Sequence, residues 1–474
     1  IMADAIGFDT IPGSIRVPGQ YIEFNTRNAV QGLPQNPQKV LLIAPKTGGT
    51  QPELEPVQLF SDAQAADLFG KGSLAHLMVR QAFQNNQYLD LTVIALADHS
   101  AGVAAEGSIV LIGTATGPGV VTLSVGGRDV SVSVAKGETS VDAATRLRGA
   151  IEASDLPVVP VLTTPANNGK LTLTVKYKGE VGNELGLSCD TGNTGLTYQI
   201  SAFAKGAKNA EIAAALTKVA GKHYHIICSA FSDDVNAKAL SSHIEQVSNA
   251  IEQRGCIGVL GWRGTIATGT AYTAKLNDGR ITCAWYKGAA EPNGMIAAGY
   301  AAVLAFEEDP ARPLNTLEIK GLNVTPDAQW PLFAECNNAL YNGLTPLVIV
   351  NNKVQIMRAV STYTKNPANA DDPALLDITT IRTLDYVRRA VKERIALRFP
   401  RDKLSSRTPL KVKSEILDVL IKLEQAEIIE NVEANKGRLL IERSIQDASR
   451  LNAVIPSDVV NGLHVFAARV DLIL

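Results

Sequence analysis

Apolar runs that stay apolar on successive residues, separated by helical stretches, constrain this chain most. Lys39-Val40-Leu41-Leu42-Ile43-Ala44 and Leu91-Thr92-Val93-Ile94-Ala95-Leu96 are of this kind, and Tyr224-His225-Ile226-Ile227-Cys228, Cys256-Ile257-Gly258-Val259-Leu260 and Ile281-Thr282-Cys283-Ala284-Trp285 repeat it. A strand with two apolar faces has to be covered on both, the condition of a parallel sheet between helical layers. Helices are expected where that architecture needs them. Ser61-Asp62 can cap a segment whose stripe begins Ala65, Leu68, Phe69, and further helices are predicted over 74–85, 236–254, 295–306 and 330–341. Asn351-Asn352, between the apolar runs 347–350 and 354–361, reads as a hairpin turn.

Between about residues 101 and 204 the texture changes. Charges thin out, Gly, Thr, Val and Ser rise, and short alternating runs at 109–114, 120–125, 130–134, 171–177 and 196–200 replace the helices. One helix interrupts them, with Val141, Ala144, Leu147 and Ile151 on one face. A separate, mostly β insertion is expected here, with the helix–strand alternation resuming behind it. After a polar stretch at 365–373 come two long helices, 378–399 and 414–429, and then terminal strands.

The ends of the chain are unusual. Residues 465–474 read as a strand with Phe466, Ala468, Val470, Leu472 and Leu474 on one face, and nothing follows to cover it. At the other end, Pro12-Gly13 and Pro18-Gly19 lead into Gln20-Tyr21-Ile22-Glu23-Phe24-Asn25, a short strand at the tip of an extended arm. Two such arms point to assembly.

A chain of 474 residues, 46% apolar and 19% charged, has to be multidomain with well-filled cores. Its net charge of −2 gives no overall footprint for nucleic acid or an anionic membrane. The five cysteines, Cys189, Cys228, Cys256, Cys283 and Cys336, are widely spaced without a Cys-x-x-Cys pair and read as buried thiols of a reducing cytoplasm. Without a signal-like opening or an apolar run approaching about 20 residues, the expectation is a soluble product.

Catalytic signatures are weak. Lys46-Thr47-Gly48-Gly49-Thr50 sits where a phosphate loop would, but its lysine precedes the glycines, so a plain turn is the better reading. His223 and His225 share a strand face, with His243 and Glu245 on the next helix, yet no third metal ligand is evident. Ser229, Asp233 and His243 are the residue types of a hydrolytic triad, but Gly-x-Ser-x-Gly is missing and Ser-Asp-Asp before a helix is ordinary capping. No Gly-x-Gly-x-x-Gly follows a strand, so a dinucleotide site has no support.

One charge pattern stands out. Residues 380–413 hold eleven Lys and Arg against three Asp and Glu, whereas the rest of the tail holds six basic and ten acidic residues. On the first helix the buried stripe is expected to be Leu384, Val387, Val391 and Ile395, leaving Arg382, Arg388, Arg389 and Lys392 to project elsewhere. A solvated face and a docking surface for an acidic partner are both open on this pattern.

The opening Phe8-Asp9-Thr10-Ile11-Pro12-Gly13-Ser14-Ile15-Arg16-Val17-Pro18-Gly19-Gln20-Tyr21-Ile22-Glu23-Phe24, the run Val40-Leu41-Leu42-Ile43, and the terminal basic helix and strand resemble the contractile tail sheath proteins of Mu-like bacteriophages. The similarity covers essentially the whole chain. It implies a multidomain α/β and α+β protein: an N-terminal arm and strand (1–38), an α/β sheath core (39–100 and 205–364) with the mostly β insertion (101–204) facing outward, and an α+β tube-facing C-terminal domain (365–474) with exchanged terminal strands. It also implies a structural subunit, not an enzyme and without cofactors, that forms stacked rings around an inner tube and contracts to drive the tube through the host envelope during genome delivery. The implied partners are further copies of itself, the tail tube protein, and baseplate and tail terminator proteins, with no direct nucleic-acid contact and no membrane insertion. The implied location is the virion tail, assembled in the bacterial host cytoplasm. Ile15, Val17, Tyr21, Ile22 and Phe24 would form one inter-subunit arm and Val465, Phe466, Ala468, Val470 and Leu472 the other, with Arg382, Arg388, Arg389 and Lys392 facing the tube. The alternatives are a doubly wound α/β hydrolase with a β lid, which needs Ser229, Asp233 and His243 together in one cleft, and a virion surface adhesin built on the insertion.

Overall fold

The computed structural model describes residue 14 and residues 16–22 and 32–473. Two compact units divide the chain. The larger holds Asn36–Tyr386 with Val459–Leu474, and the smaller holds Ile1–Gln35 with Val387–Asp458.

The larger unit is built on an eight-stranded sheet in the order Lys353–Ile356, Thr345–Val350, Ile281–Trp285, Ile257–Trp262, Ile226–Ser229, Lys39–Pro45, Asp90–Leu96, Pro56–Leu59. The six inner strands are parallel and the two edge strands antiparallel. Lys39–Pro45 is the sixth strand in this order, with Val40 opposite Leu91 on one side and Ile226 on the other. This is the doubly covered sheet that the continuous apolar runs require. Strand Ile257–Trp262 shows both covers at once: a Cβ at Gly258 would meet Leu240 and Ile244 of helix Asp234–Ser248, whereas one at Gly261 would lie 2.2 Å from the Asn293 carbonyl of helix Asn293–Phe306. Residues three apart on a strand face opposite ways, so the two helices lie on opposite faces. Helix Asn293–Phe306, buried along nearly its whole length, packs against Leu74–Asn85.

Several helix ends differ from the sequence expectation for local reasons. The helix expected over 236–254 is Asp234–Ser248: Asp233 caps its start by accepting from the Asn236 amide, and Gln253 beyond its end adopts a positive φ of 55°. The helix expected from 330 starts instead at Phe333, behind Pro331 and the short 3₁₀ turn Asp327–Gln329. Asn351 and Asn352 make the expected hairpin turn, both with positive φ, at 51° and 59°.

The insertion forms sheets of its own. Thr197–Ala204, Ala104–Ile112, Gly169–Lys178 and Val158–Thr163 make a four-stranded antiparallel sheet, and Arg128–Val134, Gly119–Val125 and Leu187–Asp190 a three-stranded one. Helix Ser140–Ala153, started by a Thr139–Asp142 capping box, buries Ala144, Leu147 and Ile151 as expected and leaves Val141 half-buried. The insertion does not stand apart from the α/β core, because one continuous apolar cluster runs from Leu41 and Leu91 through Val121, Leu123 and Leu173. Polar contacts close the seam: Arg80 of helix Leu74–Asn85 pairs with Asp155, which also holds Arg128, and the Gly186 amide donates to the Ala290 carbonyl.

In the smaller unit, helix Thr408–Gln425 starts six residues before the expected 414, with Pro409 in its first turn, where a missing N–H costs nothing. Its buried stripe is Val412, Ile416, Val419, Leu420 and Leu423. A hairpin of Leu440–Arg443 and Leu451–Val454 completes the unit, and among the described residues neither outer edge of that hairpin is paired.

Candidate assembly arms and charged surface

The C-terminal arm is chain without a partner. Residues 465–473, expected as a strand, take no regular structure, and Val465, Phe466, Ala468, Val470 and Leu472 are all exposed, Phe466 by 85% and Val470 by 94%. Leaving this much apolar side chain in water forfeits roughly 1.5–3 kcal/mol for each large residue, which a partner surface would recover. At the other end, Ile15 and Phe24 lie outside the described residues. Val17 and Ile22 are exposed, and Tyr21 donates its hydroxyl to the Val17 carbonyl at 3.1 Å.

The basic helix, Ile378–Arg398, is present, but its charges are not all available. Arg382 corrects the expectation: it is 6% exposed and donates to the Glu307 carbonyl, and burial pulls its guanidinium down to about 10. The helix turns a stripe including Ile381, Val387, Ala390 and Arg394 inward, with Leu384, Val391 and Ile395 only half-buried, and Arg382 falls on the buried side. Arg394 and Arg398 are taken up by Glu415, Arg394 also by Asp418, and Arg389 pairs with Glu393 one turn on at 2.8 Å. Arg388 is half-buried and engaged. Lys392 is exposed as expected, and beyond the helix so are Arg401, Lys403, Arg407 and Lys411. Sequence reasoning counted these last four in the basic run but assigned the surface to the helix. The signal against Arg382 is its spacing: it lies four residues from both Ile378 and Tyr386, which are buried, and residues four apart share a helix face.

The catalytic candidates are occupied elsewhere. The Ser229 hydroxyl is fully buried and bonds the backbone of Phe231, and the Asp233 carboxylate caps a helix and accepts from Asn209 and Asn236. His243 is buried on the helix interior, and no hydrogen bond joins it to either of the other two. The rings of His223 and His225 lie 4.3 Å apart; His225 accepts from the Lys39 amide and His223 bonds the Gly255 carbonyl. Glu245 faces solvent, and among the described residues no group of three or more His, Cys, Asp or Glu is placed to hold a metal ion. In the Lys46–Thr50 turn the Thr47 amide donates to the Phe69 carbonyl and the Lys46 ammonium to the Gln51 carbonyl, so the groups that would cradle a phosphate close the turn instead. Among the described residues no helix is long and apolar enough to cross a membrane.

Comparison with known proteins decides what such a chain is. Residues 205–362 match the phage tail sheath protein central domain, and residues 370–473 match the phage tail sheath C-terminal domain. The Mu-like prophage FluMu tail sheath protein of Haemophilus influenzae is 32% identical over 490 residues, covering 99% of this chain and all of that protein. The chain belongs to the phage tail sheath family. Its role is therefore that of a structural subunit of a contractile tail sheath. Solved structures extend the likeness to the fold. The sheath tail protein of Desulfitobacterium hafniense superposes with a TM-score of 0.51 at 12% identity, covering 94% of this chain and 97% of that one. The sheath of an extracellular contractile injection system in its contracted state gives 0.50 at 11%, over 96% and 98%. The mixed α/β, multidomain sheath architecture expected from the sequence is thus the one this family uses.

Proposed function

We propose that this chain polymerises around an inner tail tube by lending its ends to neighbouring copies, and that rearrangement of the polymer to a shorter, wider lattice drives the tube through the host envelope. The observation that carries this reading is the pairing left open in the single chain: an exposed apolar arm at 465–473 and a hairpin, Leu440–Arg443 with Leu451–Val454, whose outer edges are unpaired among the described residues. Strand addition joins the two kinds of surface through main-chain hydrogen bonds. The N-terminal arm, with Val17 and Ile22 exposed, serves in the same way. Such pairing holds neighbours together while side-chain interfaces exchange during contraction.

The tube contact falls to the exposed cations Lys392, Arg401, Lys403, Arg407 and Lys411 rather than to the helix face that includes Arg382. Exposed pairs of this sort are individually weak and screened by salt, which suits a contact that has to release. The insertion faces outward, the baseplate and a terminator bound the polymer, and assembly takes place in the host cytoplasm, with the finished sheath in the virion tail.

Removing residues 466–474 tests the central claim. The truncated chain is expected to keep the circular dichroism and melting temperature of the full chain but to form no sheath or sheath-like tube under the electron microscope. Tubes of normal length from the truncated chain would overturn the arm-exchange reading.

A further inference from the structure

The C-terminal arm does not leave the molecule from a loose end. Between residues 461 and 473 only Gly462 and His464 are shielded from solvent. The His464 Nδ1 lies 2.9 Å from the Asn315 side-chain amide, which donates to it and so leaves the imidazole proton on Nε2. That nitrogen is buried and points to Asp377 Oδ1 at 3.5 Å, and Asp377 is itself gripped by Arg358 through two bonds of 2.8 Å. Gly462 sets the approach: a Cβ there would come within 2.5 Å of the Pro313 ring. All these groups belong to the larger unit. One residue on, exposure is abrupt, with Val465 at 76%.

We propose that His464 is the anchor of the C-terminal arm, a positioning residue that fixes where residues 465–473 leave their own subunit and hence how far and in which direction they reach a second copy. This rests on the reading that the arm pairs with another subunit. An extended strand spans at most about 3.3–3.6 Å per residue, so residues 465–473 reach about 30 Å from a fixed root. Fraying the root back by even four residues would add more than 10 Å of slack. An anchored root restricts the arm to neighbours at one spacing, whereas a frayed one accepts several.

The anchor has a pH signature. His464 is held below the ordinary histidine value of 6.5, first by burial and then by Arg358, with Asp377 opposing. Arg358 and Asp377 are the charged groups that act on it, and Asp377 is already committed to Arg358. The anchored state therefore favours the neutral ring; anchoring is complete above the free value and is lost as pH falls through the lowered one.

Limited proteolysis of the purified full chain tests the anchor before assembly, because a protease needs the chain around its cut site free to extend. His464→Ala and, from the other side of the contact, Asn315→Ala are expected to raise chymotryptic cleavage after Leu463 by about tenfold relative to the parent, with cleavage elsewhere unchanged. His464→Gln, whose amide can accept from Asn315 and donate to Asp377, should restore the parent rate. Corrected for the protease's own pH dependence, cleavage there in the parent should rise between pH 7 and pH 5, whereas His464→Gln should show no such rise. In electron micrographs His464→Ala is expected to polymerise into tubes of mixed diameter. Unchanged cleavage in both alanine variants would overturn the anchor even if the truncated chain lacking 466–474 fails to assemble. Normal tubes from that truncation would instead remove the arm reading and leave the proteolysis result standing as a purely intramolecular contact.

Discussion

At the scale of single residues, Arg382 shows how a charge can belong to the fold and not to the surface. Its guanidinium is buried, bonded to the Glu307 carbonyl, and carries a second nitrogen without a partner. Removing such a group takes this donor from the Glu307 carbonyl and leaves a void behind. Arg382→Ala is therefore expected to lower the unfolding free energy by about 2–4 kcal/mol, read from urea denaturation. It should leave tube co-sedimentation per folded molecule at the parent level. A variant of full stability with weakened tube binding would return Arg382 to the surface. The expectation that Arg382 projects from the helix fails because its charge does not exclude it from the buried stripe. Burial depends on the helix angle a residue occupies, and a long side chain can lie in the interior when a carbonyl waits for it.

At the scale of elements, the strands were the most legible part of the chain and the helix ends the least. Apolar runs such as 40–44 and 91–96 can be satisfied only by a doubly covered sheet, and they form neighbouring inner strands of it in register from Val40 and Leu91. Helix ends follow from capping and from proline, and so from one or two residues that a periodic pattern ignores: Asp233 and Pro331 each moved a boundary. The hairpin of the smaller unit is legible in the sequence only as terminal strands, because neither segment alone carries a signature of its pairing partner. The charged surface also belongs at this scale. On the helix Arg389, Arg394 and Arg398 are neutralised by Glu393, Glu415 and Asp418, whereas Lys392 and the cations of the following loop stay exposed. Reversing Lys392, Arg401, Lys403 and Arg407 to Glu should reduce tube co-sedimentation by at least about tenfold at low salt and by much less near 0.5 M salt, where screening already weakens the parent. Tube-free sheath formation should persist. Undiminished tube binding by the quadruple variant at low salt would place the contact elsewhere.

At the scale of the whole larger unit, the insertion and the α/β core share one interior, and a buried carboxylate sits on the line between them. Glu291 lies in the loop between strand Ile281–Trp285 and helix Asn293–Phe306, accepts from the Asn323 amide at 2.8 Å, and backs onto the insertion so closely that a Cβ at Gly127 would fall 2.3 Å from its Oε1. Asn323 in turn donates to the Gly127 carbonyl. Burial is the main cause that pushes Glu291 up to about 7 from 4.5, so the folded chain holds this proton more tightly than the unfolded chain. Between those values stability falls as pH rises, and above about 7 the full penalty, on the order of 1–3 kcal/mol, is present. Glu291→Gln keeps an oxygen for Asn323 and removes the charge. It should stabilise the protein by that amount at pH 8 and change little near pH 5, as read from urea midpoints. Because the seam is shared, the gain should appear equally in the exchange protection of core strand Lys39–Pro45 and insertion strand Gly119–Val125. Two separate unfolding transitions, with only the insertion responding to Glu291→Gln, would mean that the insertion folds as a module of its own.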